Sequence, residues 1–405
     1  MLPYPPKGGM LQRSFNLLKE ASKYHDIYLL AFNQGNLLKT FYPDLETGQA
    51  EVKQELSKYC KAIEFFPIPS EASRSARLKL LLRGLLPFDT YTVSWLDSSA
   101  YRDTLQSWLK QYHFDLAHFD TISLAPYLKY LPDTCSILNH HNIESHMMLR
   151  RTELEHNWLK KFYFWQEGIK LKRYETRVCP QFDHHITCST LDADRLAEHI
   201  PNISAEEVPN GVDTDYFSAT SLPQTPNSLI FAGGLSWYPN KDAMIFFARE
   251  IWPRLKKDIP DVTMNVVGSH APEELIALAK KDPNFIVHGF VDDVRPYIEK
   301  AAVYVCPIRD GGGTKLKILD ASSMQKAIVA DPRACEGIGV TNNENVLFAT
   351  EAAEYVKQIK YLFEHDDVRH KFGVSAKNLI ENNYSYESIG KKLSDIYIKT
   401  KKHKK

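Results

Sequence analysis

With 405 residues the chain is too long for one ordinary core, and at roughly 150 residues per domain it divides into two or three. Its 50 Lys+Arg balance 50 Asp+Glu, which excludes a dedicated nucleic-acid binder, and 43% apolar with 25% charged residues is a globular make-up. No apolar run approaches the ~18 residues needed to cross a bilayer and no signal peptide opens the chain; Cys60, Cys135, Cys179, Cys188, Cys306 and Cys335 are scattered with no C-x-x-C pair, so reduced thiols of a cytoplasmic protein are expected, not a disulfide frame or a metal site.

In the first half, β-rich runs at Ile27–Phe32, Ala62–Phe66, Asp115–Phe119, Ser136–Leu138 and His184–Cys188 alternate with helical stretches such as Ser98–Tyr112 and Trp158–Val178. Residues Arg74–Phe88 (RSARLKLLLRGLLPF) mix Arg74, Arg77, Lys79 and Arg83 with leucines. That is the composition of a helix lying on an anionic membrane face, and an ordinary core-facing helix is the alternative. The stretch Asp213–Asn227, rich in Thr, Ser and Pro, reads as a linker. Beyond it the alternation sharpens: strands at Leu229–Ala232, Thr263–Val267, Phe285–Val287, Val303–Cys306 and Ala327–Ala330, helices at Asp242–Leu255, Glu273–Lys280 and Val294–Ala301. Such βαβα order implies a parallel sheet covered on both faces, with ligands beyond the carboxyl ends of its strands. A basic run, Lys399–Lys405, closes the chain.

The most informative stretch is Arg309-Asp310-Gly311-Gly312-Gly313-Thr314-Lys315-Leu316-Lys317-Ile318-Leu319-Asp320. A strand, three glycines and a helix start make an anion site from bare amides and the positive helix end. Thr314 is expected to cap the helix. Lys315 and Lys317 oppose the dipole of the first turn, a local cost that points to an external anion, most simply a phosphate.

Together with this stretch, Pro5-Pro6-Lys7-Gly8-Gly9, His141-Asn142-Ile143-Glu144-Ser145, Val208-Pro209-Asn210-Gly211-Val212-Asp213, Phe231-Ala232-Gly233-Gly234, Trp237-Tyr238-Pro239-Asn240 and His288-Gly289-Phe290-Val291 stand in one order along the chain. The chain thereby resembles the retaining GT-B glycosyltransferases of family four. The resemblance implies an α/β fold of two Rossmann-like domains facing a cleft: residues 1–212 for the acceptor, 213–385 for the nucleotide sugar, and 386–405 as a helix returning to the first domain. It implies transfer of a sugar from a nucleoside diphosphate to an acceptor hydroxyl with retention, and no metal or other cofactor. On it, Gly8, Gly9, Lys241, Gly312, Gly313, Thr314 and Lys315 face the donor diphosphate or sugar, and Lys317 and a neutral His141 serve catalysis. Asp320 takes the place of the family's ribose-binding glutamate, and main chain at Phe290 and Val291 meets the base. Glu144 is expected to anchor a helix.

Two departures qualify the match. Gly312 stands where many relatives carry a glutamate against the donor sugar. Relatives also begin with a core strand, and here Met1-Leu2-Pro3-Tyr4 leaves no room for it; a start further upstream is expected, since a lost buried strand costs several kcal/mol. The function expected is glycosyl transfer in surface polysaccharide or lipid-linked glycan synthesis, cytoplasmic or on the inner membrane face, with a nucleotide sugar and a glycan or lipid-linked acceptor as partners. An epimerase or hydrolase on the same fold and a degenerate nucleotide-sugar binder are the alternatives.

Overall fold

The computed structural model describes residues 1–403 apart from 7–8, 40, 87–88, 156, 221 and 311–313; Gly8, Gly312, Gly313 and Phe88 therefore lie outside the described residues. The chain forms two compact units, Met1–Pro209 with Gly390–Lys405, and Asn210–Ile389. The last helix, Tyr386–His403, starts in the second unit, and from Gly390 on it belongs to the first.

The second unit is built on six parallel strands: β7 (Thr225–Ala232), β8 (Thr263–Val267), β9 (Phe285–Gly289), β10 (Ala301–Cys306), β11 (Ala327–Ala330) and β12 (Leu347–Phe348). Their order is β12-β11-β10-β7-β8-β9. All six residues of β10 (AAVYVC) and all four of β11 (AIVA) are buried, as expected of strands covered on both faces. Chain order reverses between β7 and β10, so the crevice for a ligand opens at their carboxyl ends. The helix read as Asp242–Leu255 starts earlier and is interrupted: Tyr238–Phe246, a π-turn over Phe247–Ile251, then Trp252–Asp258. The segment read as a linker is instead fastened to this unit. Val212 N–H donates to the Tyr384 carbonyl, and the Glu299 carboxylate accepts from the amides of Thr220 and Leu222.

The first unit carries two parallel sheets. β1 (Tyr28–Asn33) pairs with β2 (Ala62–Pro67); β3 (Leu116–Phe119), β4 (Cys135–His140), β5 (His184–Thr187) and β6 (Ala205–Glu207) form the other. Among the described residues no strand joins β1 to β3. A cavity of about 700 Å³ lies between them, lined by Leu17, Leu29, Leu116, Phe119, Trp108 and Tyr397. At its far end Leu2 N–H donates to the Phe32 carbonyl at 2.9 Å, so Met1 and Leu2 already run alongside the end of β1. The Gly9–Ala21 helix and the last helix close the unit on one side. Arg13 donates to the Pro209 carbonyl, His25 meets Ser394 at 2.8 Å, and a Cβ on Gly390 would lie 2.2 Å from Glu20 Cβ.

Two sheet edges on either side of a cavity of this size, lined by apolar side chains together with Asp26, Asp115, His118 and Asp120, should take up an extended strand. Fusing an alternating apolar hexapeptide to Met1 is expected to raise the melting temperature by about 4–12 °C, from roughly 2–3 kcal/mol of net burial at ~2–4 °C per kcal/mol. A Gly/Ser hexapeptide should leave it unchanged; equal melting temperatures for the two fusions would refute the slot.

Candidate functional site

At the switch point of the second unit the backbone leaves β7 through Gly233 and Gly234, and the chain leaving β10 returns as the Leu316–Ser323 helix. Lys317, in its first turn, reaches back to β7. Its ammonium lies 4.6 Å from the Phe231 ring and 5.9 Å from that of Trp237, and donates to Asn240 Oδ1. Asn240 in turn donates from Nδ2 to the Gly234 carbonyl at 2.8 Å. Gly233 makes this approach possible, since a Cβ there would sit 2.5 Å from Lys317 Nζ. Lys315 is buried, with its ammonium 6.0 Å from the Trp237 ring. Two lysines thus converge on aromatic faces and bare backbone, and among the described residues no carboxylate forms an ion pair with Lys317.

Burial lowers Lys317 to about 8, with Cys306 and Asp320 opposing and Lys315 assisting. Burial likewise raises Asp320, one turn further along, to about 8 against the pull of Lys317. At neutral pH Lys317 is charged and Asp320 is largely protonated, so Asp320 can donate one hydrogen bond as well as accept. The lysine charge is therefore not neutralised from within, the state expected of a site kept for an anion.

The expected cap is corrected here. Lys315, not Thr314, holds the N-cap position, and its side chain makes no capping bond. The buried Thr314 Oγ1 has no hydrogen-bond partner among the described residues. Lys241 is exposed in the first turn of the helix that carries Asn240. Phe290 is 75% exposed just past β9, and Val291 packs on the core beside it. Before the glycine run, Arg309 donates to Asp242 at 2.9 Å, lies 4.0 Å over Phe246, and accepts at its carbonyl from Arg333 at 2.7 Å. This brace of the loop's entry had no signal in the sequence.

In the first unit Gly9 opens the Gly9–Ala21 helix. His141 and Asp120 follow the ends of β4 and β3, neighbours in the sheet. Asp120 Oδ1 accepts from Asn139 at 2.9 Å and from His141 Nε2 at 3.0 Å, and Oδ2 accepts from Ser14 at 2.8 Å. His118 lies 3.9 Å from the same carboxylate, and its Nδ1 meets the Tyr397 hydroxyl at 2.7 Å. Burial alone would lower His141, but Asp120 overcomes it and raises the imidazole to about 9. Burial alone would raise Asp120, but His141 holds it far below the usual carboxylate range. The expected neutral His141 is thus an imidazolium at neutral pH, because its buried partner is an anion. Glu144 opens the Glu144–Leu154 helix, and burial with the Glu175 charge raises it to about 7.

The neighbouring His140 is separated from this pair. Its Nε2 lies 3.1 Å from His185 Nδ1, and His185 Nε2 meets the Cys179 carbonyl at 3.1 Å. Burial lowers both imidazoles, which describes a neutral, hydrogen-bonded core pair. The six cysteines are buried, and none of them forms a disulfide among the described residues.

Two Rossmann-like units, each with polar groups gathered at the carboxyl ends of its parallel strands, define the GT-B class of nucleotide-sugar enzymes. Residues 226–365 match the model of the glycosyl transferases group 1, and residues 66–216 that of Glycosyltransferase Family 4. Both units thus match glycosyltransferase models, and the chain is similar to the group 1 glycosyltransferases. It is 22% identical over 395 residues to an uncharacterised 44.6 kDa protein in the cps region of Klebsiella pneumoniae, covering 96% of this chain and 95% of that one. Among solved structures, Anabaena HepE in complex with UDP superposes with a TM-score of 0.61 at 13% identity, covering 97% of both chains. TarM superposes at 0.54 with 15% identity, and this chain covers 58% of its length.

Proposed function

We propose that the protein transfers a sugar from a nucleoside diphosphate to an acceptor hydroxyl with retention at the anomeric carbon and without a metal ion. The observation that carries this reading is Lys317 held against bare backbone at the switch point, charged and, among the described residues, in no ion pair. Cleaving the glycosyl–phosphate bond leaves negative charge on the diphosphate, and donors already in place stabilise it without reorganisation. Lys317 and Lys315 supply charge, with Lys241 available from the adjoining helix. Thr314 supplies a hydroxyl, and Gly8, Gly9, Gly312 and Gly313 supply amides; of these Gly8, Gly312 and Gly313 lie outside the described residues. Asp320 holds the ribose hydroxyls, and main chain at Phe290 and Val291 meets the base. The His141 imidazolium, oriented by Asp120, donates to the donor sugar or its leaving phosphate. HepE, solved with UDP, supports a nucleotide at this fold, and the relative in a cps region supports a role in surface polysaccharide or lipid-linked glycan assembly. The protein works from the cytoplasmic face of the membrane on a glycan or lipid-linked acceptor.

Titration with UDP, GDP and ADP in the absence of metal, followed by turnover of matching nucleotide sugars, tests this reading. One nucleotide should bind selectively, and its sugar should be consumed only when an acceptor is present. Fast nucleotide release without acceptor would instead mark a hydrolase, and conversion to an epimeric nucleotide sugar without nucleotide release would mark an epimerase. Binding with no turnover in a broad acceptor screen would mark a nucleotide-sugar binder.

A further inference from the structure

The Arg74–Arg83 helix was expected either to face the core or to lie on a membrane, and it buries none of its side chains. Leu78, Leu82, Leu85 and Leu86 on it and its following turn are 51–57% exposed. The turn is held by a second helix, Trp158–Val178, whose Gln166 and Lys170 donate to the Gly84 carbonyl, with Lys170 also reaching the Leu86 carbonyl at 3.1 Å. That helix buries Glu167, Gly168, Leu171 and Glu175 on one side. Its amino-terminal half exposes Trp158 (74%), Leu159 (58%), Phe162 (55%) and Trp165 (50%), at helical spacing along one face. Two helices clamped together thus display eight large apolar side chains, each at least half exposed.

Charge accompanies them with a single sign. Arg74, Arg77, Lys79, Lys160 and Lys161 are exposed, and neither RSARLKLLLR nor WLKKFYFW contains an acidic residue. Arg83 is paired with Asp89 at 3.1 Å. An apolar surface of this size on one protein marks an interaction site. Trp and Leu interleaved with Lys and Arg is the composition that settles at headgroup depth, rings at the interface and cations toward lipid phosphate. Among the described residues no helix is long and apolar enough to cross a membrane.

We propose that the paired faces of the Arg74–Arg83 and Trp158–Val178 helices form one docking surface for an anionic lipid bilayer, with Trp158, Phe162, Trp165 and Leu82 entering the interface and Arg77, Lys79, Lys160 and Lys161 meeting the headgroups. The inference names the membrane contact of the proposed function. It is read without substrate, so its failure leaves glycosyl transfer untouched.

The test is co-sedimentation of the full chain with vesicles of 70% phosphatidylcholine and 30% phosphatidylglycerol, against phosphatidylcholine alone. The wild type should bind the anionic vesicles at least 10-fold more tightly, less so at high salt, with a blue shift of tryptophan emission. Arg77→Glu/Lys79→Glu/Lys161→Glu and, separately, Leu82→Ser/Trp158→Ser/Phe162→Ser should each weaken binding 10-fold or more at unchanged melting temperature; all these side chains are exposed. Equal binding to the two vesicle types, or unchanged binding by both folded variants, would overturn the proposal. So would lipid-free self-association abolished by the serine variant, which would assign the surface to a second copy.

Discussion

Lys317→Ala is expected to weaken binding of the preferred nucleoside diphosphate by about 10- to 100-fold, the range of a lost charge-assisted hydrogen bond. Donor turnover should fall further, by ~10²–10³, because the charge met by this ammonium grows as the glycosyl–phosphate bond breaks. The side chain touches Asn240, Phe231 and Trp237 at the end of the sheet and no internal counter-charge, so the fold should tolerate its removal. A pH series separates this role from a packing role. Burial holds Lys317 near 8 in the free protein, and a bound diphosphate favours the charged form and raises it. Binding by the wild type should then weaken as pH rises through 8, and the variant should lose the part of that limb due to Lys317, leaving only what Asp320 contributes as it ionises. Affinity within twofold of wild type, with the alkaline limb intact, would remove Lys317 from the donor site.

The second unit was legible in the sequence as far as Ala330, for a physical reason, whereas β12 and the helices Ala352–Glu364 and Asp366–Asn383 beyond it were not read. A parallel sheet buried on both faces needs continuous apolar strands, so Thr263–Val267 and Ala327–Ala330 emerge with the expected ends. The glycine run and its lysines were visible because three glycines and two lysines stand together between a strand and a helix in the sequence itself. The first unit was less legible. Its β1 and β3 are recognisable, yet the open edge between them is a property of pairing that no local pattern carries. The site partners were hidden in the same way. Asp120 ends a predicted strand and Asn240 ends a quoted turn, but only tertiary structure brings one to His141 and the other to Lys317. The charge of His141 was misjudged because His in isolation is mostly neutral at pH 7, and its buried carboxylate partner lies 21 residues away. The exposed face of Trp158–Trp165 was likewise unreadable, since an apolar helix stripe looks the same whether it faces a core or a bilayer.

Asp120→Asn carries the other large expectation. Every neighbour within hydrogen-bond reach of the Asp120 carboxylate is a donor: Asn139 and His141 to one oxygen, Ser14 to the other. An amide offers one accepting oxygen and an NH2 that Asn139 Nδ2 and a protonated His141 cannot use, although the Ser14 hydroxyl can turn to accept from it. Without the anion, burial governs His141 and its pKa should fall from about 9 to below the ordinary value. In the wild type, turnover that needs the imidazolium should persist through neutral pH and fall as pH passes about 9. In the variant that falling limb should move below the ordinary histidine value, leaving at least ~10-fold less activity at pH 7.5. Stability follows the same pair. The raised His141 stabilises the fold fully below its unfolded value and ceases to as pH rises through about 9, while the depressed Asp120 stabilises above the ordinary carboxylate range and ceases to in acid. The loss in the variant, about 3 kcal/mol for a broken buried pair, should therefore peak between roughly pH 5 and 7 and shrink on both sides. His141→Asn combined with Asp120→Asn should be about as slow as either change alone, since a pair acting as a unit can be lost only once. An unchanged falling limb in Asp120→Asn, or losses that multiply in the double variant, would mean that the pair holds the fold without serving the reaction.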